Sequence, residues 1–279
     1  MFAAFLLSLR EGLEAALVIG IVLGALRKIN RPDLKPAVWA GVISAVIVSL
    51  LAGVLLTVLG MSFDGLVEEI FEGFTMLLAA GILTWMIFWM NRQGRYLRAD
   101  VESEVQKSAV AGSQPRALFG LAFLAVVREG IELALFLTAT GFVARAGQTL
   151  IGGLLGLAAA IVLGWLLFST TLRLDLRRFF RVTGVLLILF AAGLVAHGVH
   201  EFNEAGWIPS VVEHVWNVNP WLDENSTFGS ILKSLFGYNG NPSLTELLAY
   251  LAYFALIFVG LKRQNKTLTR PQPEPVNSA

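Results

Sequence analysis

Two five-residue phrases hold the residues best suited to chemistry: Arg10-Glu11-Gly12-Leu13-Glu14 and Arg128-Glu129-Gly130-Ile131-Glu132. Each lies inside an apolar run long enough to cross a bilayer. On a helix, two Glu residues three apart share a face. The Arg stands four residues before the second Glu and joins that face. An ionised side chain at the centre of a membrane helix costs roughly 2.5–3.5 kcal/mol, so six unpaired ones would cost on the order of 15–20 kcal/mol. The charges must therefore pair with one another or with a ligand. Two Arg against four Glu leave a formal excess of two negative charges, which a bound metal cation would neutralise. Carboxylates without thiolate or imidazole in the phrase suit oxygen-preferring ions such as Mg, Ca, Mn or Fe, and disfavour Cu(I). The candidate metal ligands are Glu11, Glu14, Glu129 and Glu132, with Arg10 and Arg128 as their charge partners.

The elements that must carry these residues are membrane helices. The chain is 56% hydrophobic and only 15% charged, with a mean hydropathy of +0.70, the balance of a polytopic membrane protein. Cysteine is absent, which excludes disulfides, thiolate metal sites and Cys nucleophiles. Three His limit any imidazole site. The N-terminal run lacks a basic leader and carries Arg and two Glu, so it reads as a retained helix. No nucleotide-binding motif is present, and no nucleic acid partner is expected.

Seven spans of about 20 residues can be drawn: 2–26, 37–60, 66–90, 117–143, 149–170, 179–200 and 244–261. Basic residues cluster after alternate spans: Arg27, Lys28, Arg31 and Lys35; Arg92, Arg95, Arg98, Lys107 and Arg116; Arg173, Arg177, Arg178 and Arg181; Lys262, Arg263, Lys266 and Arg270. The other side holds only Arg145 and Lys233. By the positive-inside rule the N-terminus is outside and the C-terminus cytoplasmic. The two phrases then sit on helices of opposite direction. The expected fold is all-α, with seven transmembrane helices arranged as a 3+3 inverted repeat plus one C-terminal helix. Transporters of that kind bind substrate between the halves. The permease domain would cover 1–263, with halves near 1–100 and 115–205, an outer segment at 201–243 and a last helix at 244–261. The polar, Pro-containing tail 264–279 is expected to be disordered.

Further ionisable residues fall near the outer face. Glu68, Glu69 and Glu72 open the third span, and His197, His200, Glu201 and Glu204 close the sixth. Glu72, Glu204, His200 and Glu69 are candidates for an acidic vestibule that attracts cations; ordinary interfacial charge is the competing reading for Glu68, Glu69, Glu201 and His197. Gly20 with Gly24, Gly152 with Gly156, and Ala160 with Gly164 are small pairs suited to close helix packing. Gly12 and Gly130 could also let an ion or another backbone approach the carboxylates. Trp39, Trp85, Trp89, Trp165 and Trp207 read as interfacial anchors. The aromatics of 201–243 suggest a segment folded over the outer surface, as a lid or docking platform. Asn225-Ser226-Thr227 matches a glycosylation pattern that is commonly false.

The paired phrases resemble those of the oxidase-dependent iron permeases, the fungal high-affinity iron permeases and the bacterial EfeU-type permeases. Similarity to the bacterial branch extends over nearly the whole chain. It includes Phe71-Glu72-Gly73, Leu83-Thr84-Trp85-Met86-Ile87-Phe88-Trp89-Met90, Ala191-Ala192-Gly193-Leu194 and Glu204-Ala205-Gly206. One position departs: Asn203 precedes Glu204 where the bacterial pattern often has His. The resemblance implies iron import across a bacterial inner (cytoplasmic) membrane by a multi-pass permease, with Glu11, Glu14, Glu129 and Glu132 carrying the ion. It implies no permanently bound cofactor, iron being the transported substrate. It also implies partners: a periplasmic iron-binding protein and a haem peroxidase of an Efe-type system, beside the lipid bilayer. Rival readings are a permease for manganese or lead, an intramembrane enzyme using paired carboxylates, and a structural subunit whose charges pair for assembly. The chain has no His-Glu-x-x-His motif, and no enzymatic activity is expected.

Overall fold

Residues 1–93, 103, 105, 114–144, 146–169, 176–224 and 226–268 are described in the computed structural model. Arg95, Arg98, Lys107, Arg145, Arg173, Asn225, Arg270 and the end of the polar tail lie outside the described residues, as do the side chains of Arg92, Arg177 and Lys266. Among the described residues the fold is entirely helical: α1 Phe2–Lys28, α2 Lys35–Met61, α3 Leu66–Gln93, α4 Gln114–Val143, α5 Ala146–Ser169, α6 Leu176–Glu204, α7 Thr227–Phe236 and α8 Leu244–Leu268. Pro36 opens α2, where a missing N–H costs nothing. Gly65 adopts φ +59° just before α3, a left-handed turn that favours glycine.

Five segments are long and apolar enough to cross a membrane by length and composition: Pro32–Met61, Leu66–Trp89, Ala146–Phe168, Arg178–Glu204 and Leu244–Gln264. Helices α1 and α4 fall outside that group because each carries an Arg and two Glu in its middle. Exposed apolar residues cover one face of α2 (Ile43, Ile47, Leu51, Val54, Val58), of α5 (Leu150, Leu154, Ile161) and of α8 (Leu248, Leu256, Phe258). Apolar surface this continuous belongs against lipid.

The main contacts pair α2 with α4, α1 with α5, α3 with α6, and α6 with α8, while α1 also touches α4. Small residues set the first two seams. A Cβ on Gly152 would strike the Met1 carbonyl, Gly12 lies against Ala160, and Gly164 lies against Ala16. On the other seam Gly41 abuts the Phe119 carbonyl, Gly130 abuts Ser49, and Gly53 sits by Ala134. Laying Arg10 on Arg128 carries each contact of the first seam onto one of the second. Of the predicted small pairs, Gly152, Gly156, Ala160 and Gly164 work as packing surfaces. Gly20 faces the Phe168 ring, and Gly24 faces open space. The main core joins Leu7, Met76, Leu83, Phe136, Leu194 and Tyr253 from five helices.

The segment 201–243 packs more deeply than a surface cover. Its helix α7 starts on a Ser226 cap that accepts from Gly229 N–H at 3.0 Å and ends on Gly237 at φ +66°. Gly237 presses against Gly193, well inside α6, and Leu235 enters the main core. Helix α8 begins with a reciprocal cap. Ser243 N–H donates to Glu246 at 3.0 Å, and Glu246 N–H donates back to the Ser243 hydroxyl at 3.2 Å.

Candidate metal centre

The helical spacing of each phrase produces the pairing its sequence predicts. Arg10 Nη2 lies 3.0 Å from Glu14 and its Nη1 lies 3.2 Å from Glu11. Arg128 Nε lies 3.0 Å from Glu132 and 3.9 Å from Glu129. The structure then adds what spacing alone could not supply. Ligand oxygens of Glu11, Glu14 and Glu129, drawn from both phrases, lie within 4.8 Å of one another. Glu132, held by Arg128, is buried beside them but is not one of the three. Among the described residues, Glu11 Oε2, Glu129 Oε2 and Glu132 Oε2 accept no hydrogen bond. Buried acceptors without donors are unfavourable by about 1–3 kcal/mol each, and a cation among them would remove that deficit. Three hard oxygen donors fit a hard or borderline divalent ion.

The phrase glycines point away from this centre. Gly12 and Gly130 lie on the helix faces that meet α5 and α2. Their smallness brings the helices together, and they open no route for an ion to the carboxylates.

Helix α3 contributes residues that the sequence reading assigns elsewhere. Arg10 Nη1 donates to Met86 Sδ at 3.2 Å. The Arg128 guanidinium lies 4.8 Å from the Trp89 ring centre and 5.6 Å from that of Trp85. Trp85 and Trp89 are thus cation–π partners of a site residue. The signal lay in the spacing: Trp85 and Trp89 are four apart, with Met86 on the neighbouring stripe.

The predicted vestibule has two parts that meet at Glu204. Glu72 lies near enough to Glu68, Glu201 and Glu204 to feel their charge, and Glu69 does the same for Glu201, at the junction of α3 and α6. His200 and Glu204 line a polar cavity at the C-terminal end of α6. His200 bridges Glu246 at 3.0 Å and Glu204 at 3.3 Å. Glu246 is a residue sequence reasoning missed; Ser243-x-x-Glu246 ahead of an apolar run is its signature. Asn203, the departure from the bacterial pattern, is structural. It donates to the Ile208 carbonyl and accepts from Ser243 and Thr245 hydroxyls, tying α6 to α8.

Comparison with known proteins gives a concordant result. The model of the iron permease FTR1 family matches residues 1–262. Ferrous iron permease EfeU of Escherichia coli O6:K15:H31 is 36% identical over 275 residues, covering 97% of this chain and 99% of the relative. Ferrous iron permease EfeU of Yersinia pestis is 33% identical over 255 residues, covering 91% and 90%. No solved structure matches the chain.

Proposed function

The chain belongs to the iron permease FTR1 family, and from that premise we propose that it imports iron through a carboxylate centre shared by α1 and α4. It is a transporter of iron and not an enzyme. The observation that carries the reading is the meeting of Glu11 and Glu14 with Glu129 inside 4.8 Å. Neither phrase alone could coordinate an ion fully, and together they offer three ligand oxygens to one.

We take all seven long helices as membrane spans, α1 and α4 included. Once Arg10 and Arg128 neutralise part of their charge, these two helices carry less penalty than their composition suggests. A 3+3 inverted repeat is supported by the two seams: exchanging α1 with α4 and α2 with α5 converts Gly12–Ala160 into Gly130–Ser49 and Gly164–Ala16 into Gly53–Ala134. The basic residues favour an outside N-terminus and a cytoplasmic C-terminus in a bacterial inner membrane.

In this reading iron reaches the centre from the α6 C-terminal side, past Glu69, Glu72, Glu204 and His200. The carboxylates replace its waters, and Arg10 and Arg128 balance part of their charge before it arrives. Movement of one three-helix half against the other opens the centre inward. A cation moving inward gains about 2.3 kcal/mol per charge per 100 mV. Exposed Trp207, Trp216 and Trp221 offer a surface to the proposed periplasmic iron-binding and haem-peroxidase partners.

Radioactive iron uptake into proteoliposomes tests the reading. The unmodified chain should accumulate iron with manganese competing poorly, and Glu11→Gln and Glu132→Gln should each abolish uptake while remaining folded. Normal uptake by both variants would make the phrases structural pairs and overturn the mechanism. Equal entry of manganese would change the cargo.

A further inference from the structure

All three histidines of the chain, His197, His200 and His214, line one cavity of about 430 Å³ at the C-terminal end of α6. Glu204, Glu213 and Glu246 share its wall. Since a water occupies roughly 30 Å³ of liquid, the cavity holds an ion together with its hydration shell.

His197 distinguishes this cavity from ordinary polar surface. Its ring is only 7% exposed, and its Nδ1 stands 2.9 Å from the Gly193 carbonyl. A carbonyl can only accept, so Nδ1 carries the proton and Nε2 keeps a lone pair. Among the described residues nothing hydrogen-bonds Nε2. A backbone carbonyl on one ring nitrogen, leaving the other as donor of a lone pair, is how proteins orient imidazole ligands.

His200 follows one turn later. Its Nδ1 lies 3.0 Å from Glu246 Oε1 and its Nε2 lies 3.3 Å from Glu204 Oε1. Glu246 is buried and fixed by Ser243 N–H and Asn239 Nδ2, so it can hold the imidazole by its Nδ1 proton, as outer carboxylates do around metal ligands. Two donors each about 2.1 Å from a shared ion, in adjacent coordination positions, stand about 3.0 Å apart. The His200–Glu204 spacing is close to that. Positions 197, 200 and 204 share one face of α6.

We propose that His197 Nε2, His200 Nε2 and a Glu204 oxygen form a second metal site, one that takes ferrous iron. Two imidazoles and one carboxylate with open positions are the ligand set of non-haem ferrous centres. Among the described residues only Glu11, Glu14 and Glu129 already gather three ligand atoms within 4.8 Å. His197, His200 and Glu204 do not gather that closely in the structure, so their ligand atoms draw together only as an ion enters. Its use is selection: the all-oxygen centre would accept magnesium and calcium, whereas imidazole ligands favour the later transition metals. The choice of iron as cargo rests on the permease reading; the existence of the site does not.

The full-length chain carrying Glu11→Gln and Glu129→Gln isolates this site, and Co(II) followed by its visible ligand-field absorption is the probe. One Co(II) should bind with a nitrogen-ligand spectrum, unaffected by millimolar magnesium. Adding His197→Ala or Glu204→Gln should each weaken binding at least about tenfold. Glu204→Gln changes an exposed side chain and decides the matter should His197→Ala not fold. Absence of Co(II) binding, or binding indifferent to these substitutions, would overturn the proposal even if the unmodified chain imports iron. Binding as described in a chain that imports none would uphold the site and sink the permease mechanism.

Discussion

Arg10 and Arg128 hold the same position in the same phrase, yet one is sealed and the other is half open. Arg10 is 1% exposed, lodged between Glu11, Glu14 and the Met86 sulfur. Arg128 is 36% exposed and spreads over two indoles while holding Glu132. Helix α3 meets both arginines and does so with different side chains, Met86 at Arg10 and Trp85 with Trp89 at Arg128. The two phrases therefore differ in support: Arg10 is sealed against its carboxylates and a sulfur, and Arg128 is partly exposed and rests against two indoles.

The largest effect should come from the arginines themselves. Arg10→Gln strands Glu11 and Glu14 as buried charges, a loss of about 3–5 kcal/mol for breaking a buried pair, so thermal unfolding in detergent should begin at a much lower temperature. Arg128→Gln, relieved by solvent, should lower stability by about 1–2 kcal/mol and leave a folded protein. Equal losses would erase the distinction between the copies.

The glycines come next and should behave alike. Gly12→Ala pushes into Ala160 and Gly130→Ala into Ser49, each costing about 1–3 kcal/mol by overpacking. Ala160→Gly should rescue the first and Ser49→Gly the second in the same melting assay. Rescue at one seam alone would contradict their equivalence.

The supports on α3 give the smallest changes. Trp89→Leu should cost about 1–2 kcal/mol through the lost cation–π contact, and it should impair uptake because Arg128 loses its platform. Met86→Leu conserves volume and should cost under about 1.5 kcal/mol. If Met86→Leu proved the more damaging to uptake, the sulfur contact of Arg10 would matter more than the indoles.

Much of this was readable from residue spacing. The i,i+4 ion pairs follow from helix geometry, and each of the seven long helices overlaps a drawn span. The excess charge of the two phrases led to the expectation of one four-carboxylate site; that Glu132 stands outside the closest three was not readable, because it depends on how α1 crosses α4. For the same reason sequence alone left the direction of Gly12 and Gly130 open, since a glycine beside a ligand has no side chain to report its face. The contact of Trp85 and Trp89 with Arg128 was not read, because tryptophans on membrane helices commonly mark interfaces. Glu246 was passed over, although its capping spacing was visible. The helix α7 was hidden within a polar, aromatic segment whose inward path is set by the Gly193–Gly237 contact.

Ferrous iron titration in a His197→Ala chain, where only the carboxylate centre answers, tests the central claim most directly. Glu11→Gln on α1 and Glu129→Gln on α4 should each weaken binding roughly 10–100-fold, and the double variant should lose little more than either alone, because both serve one ion. Independent, additive losses would mean that each phrase binds its own ion and that no centre is shared between the halves.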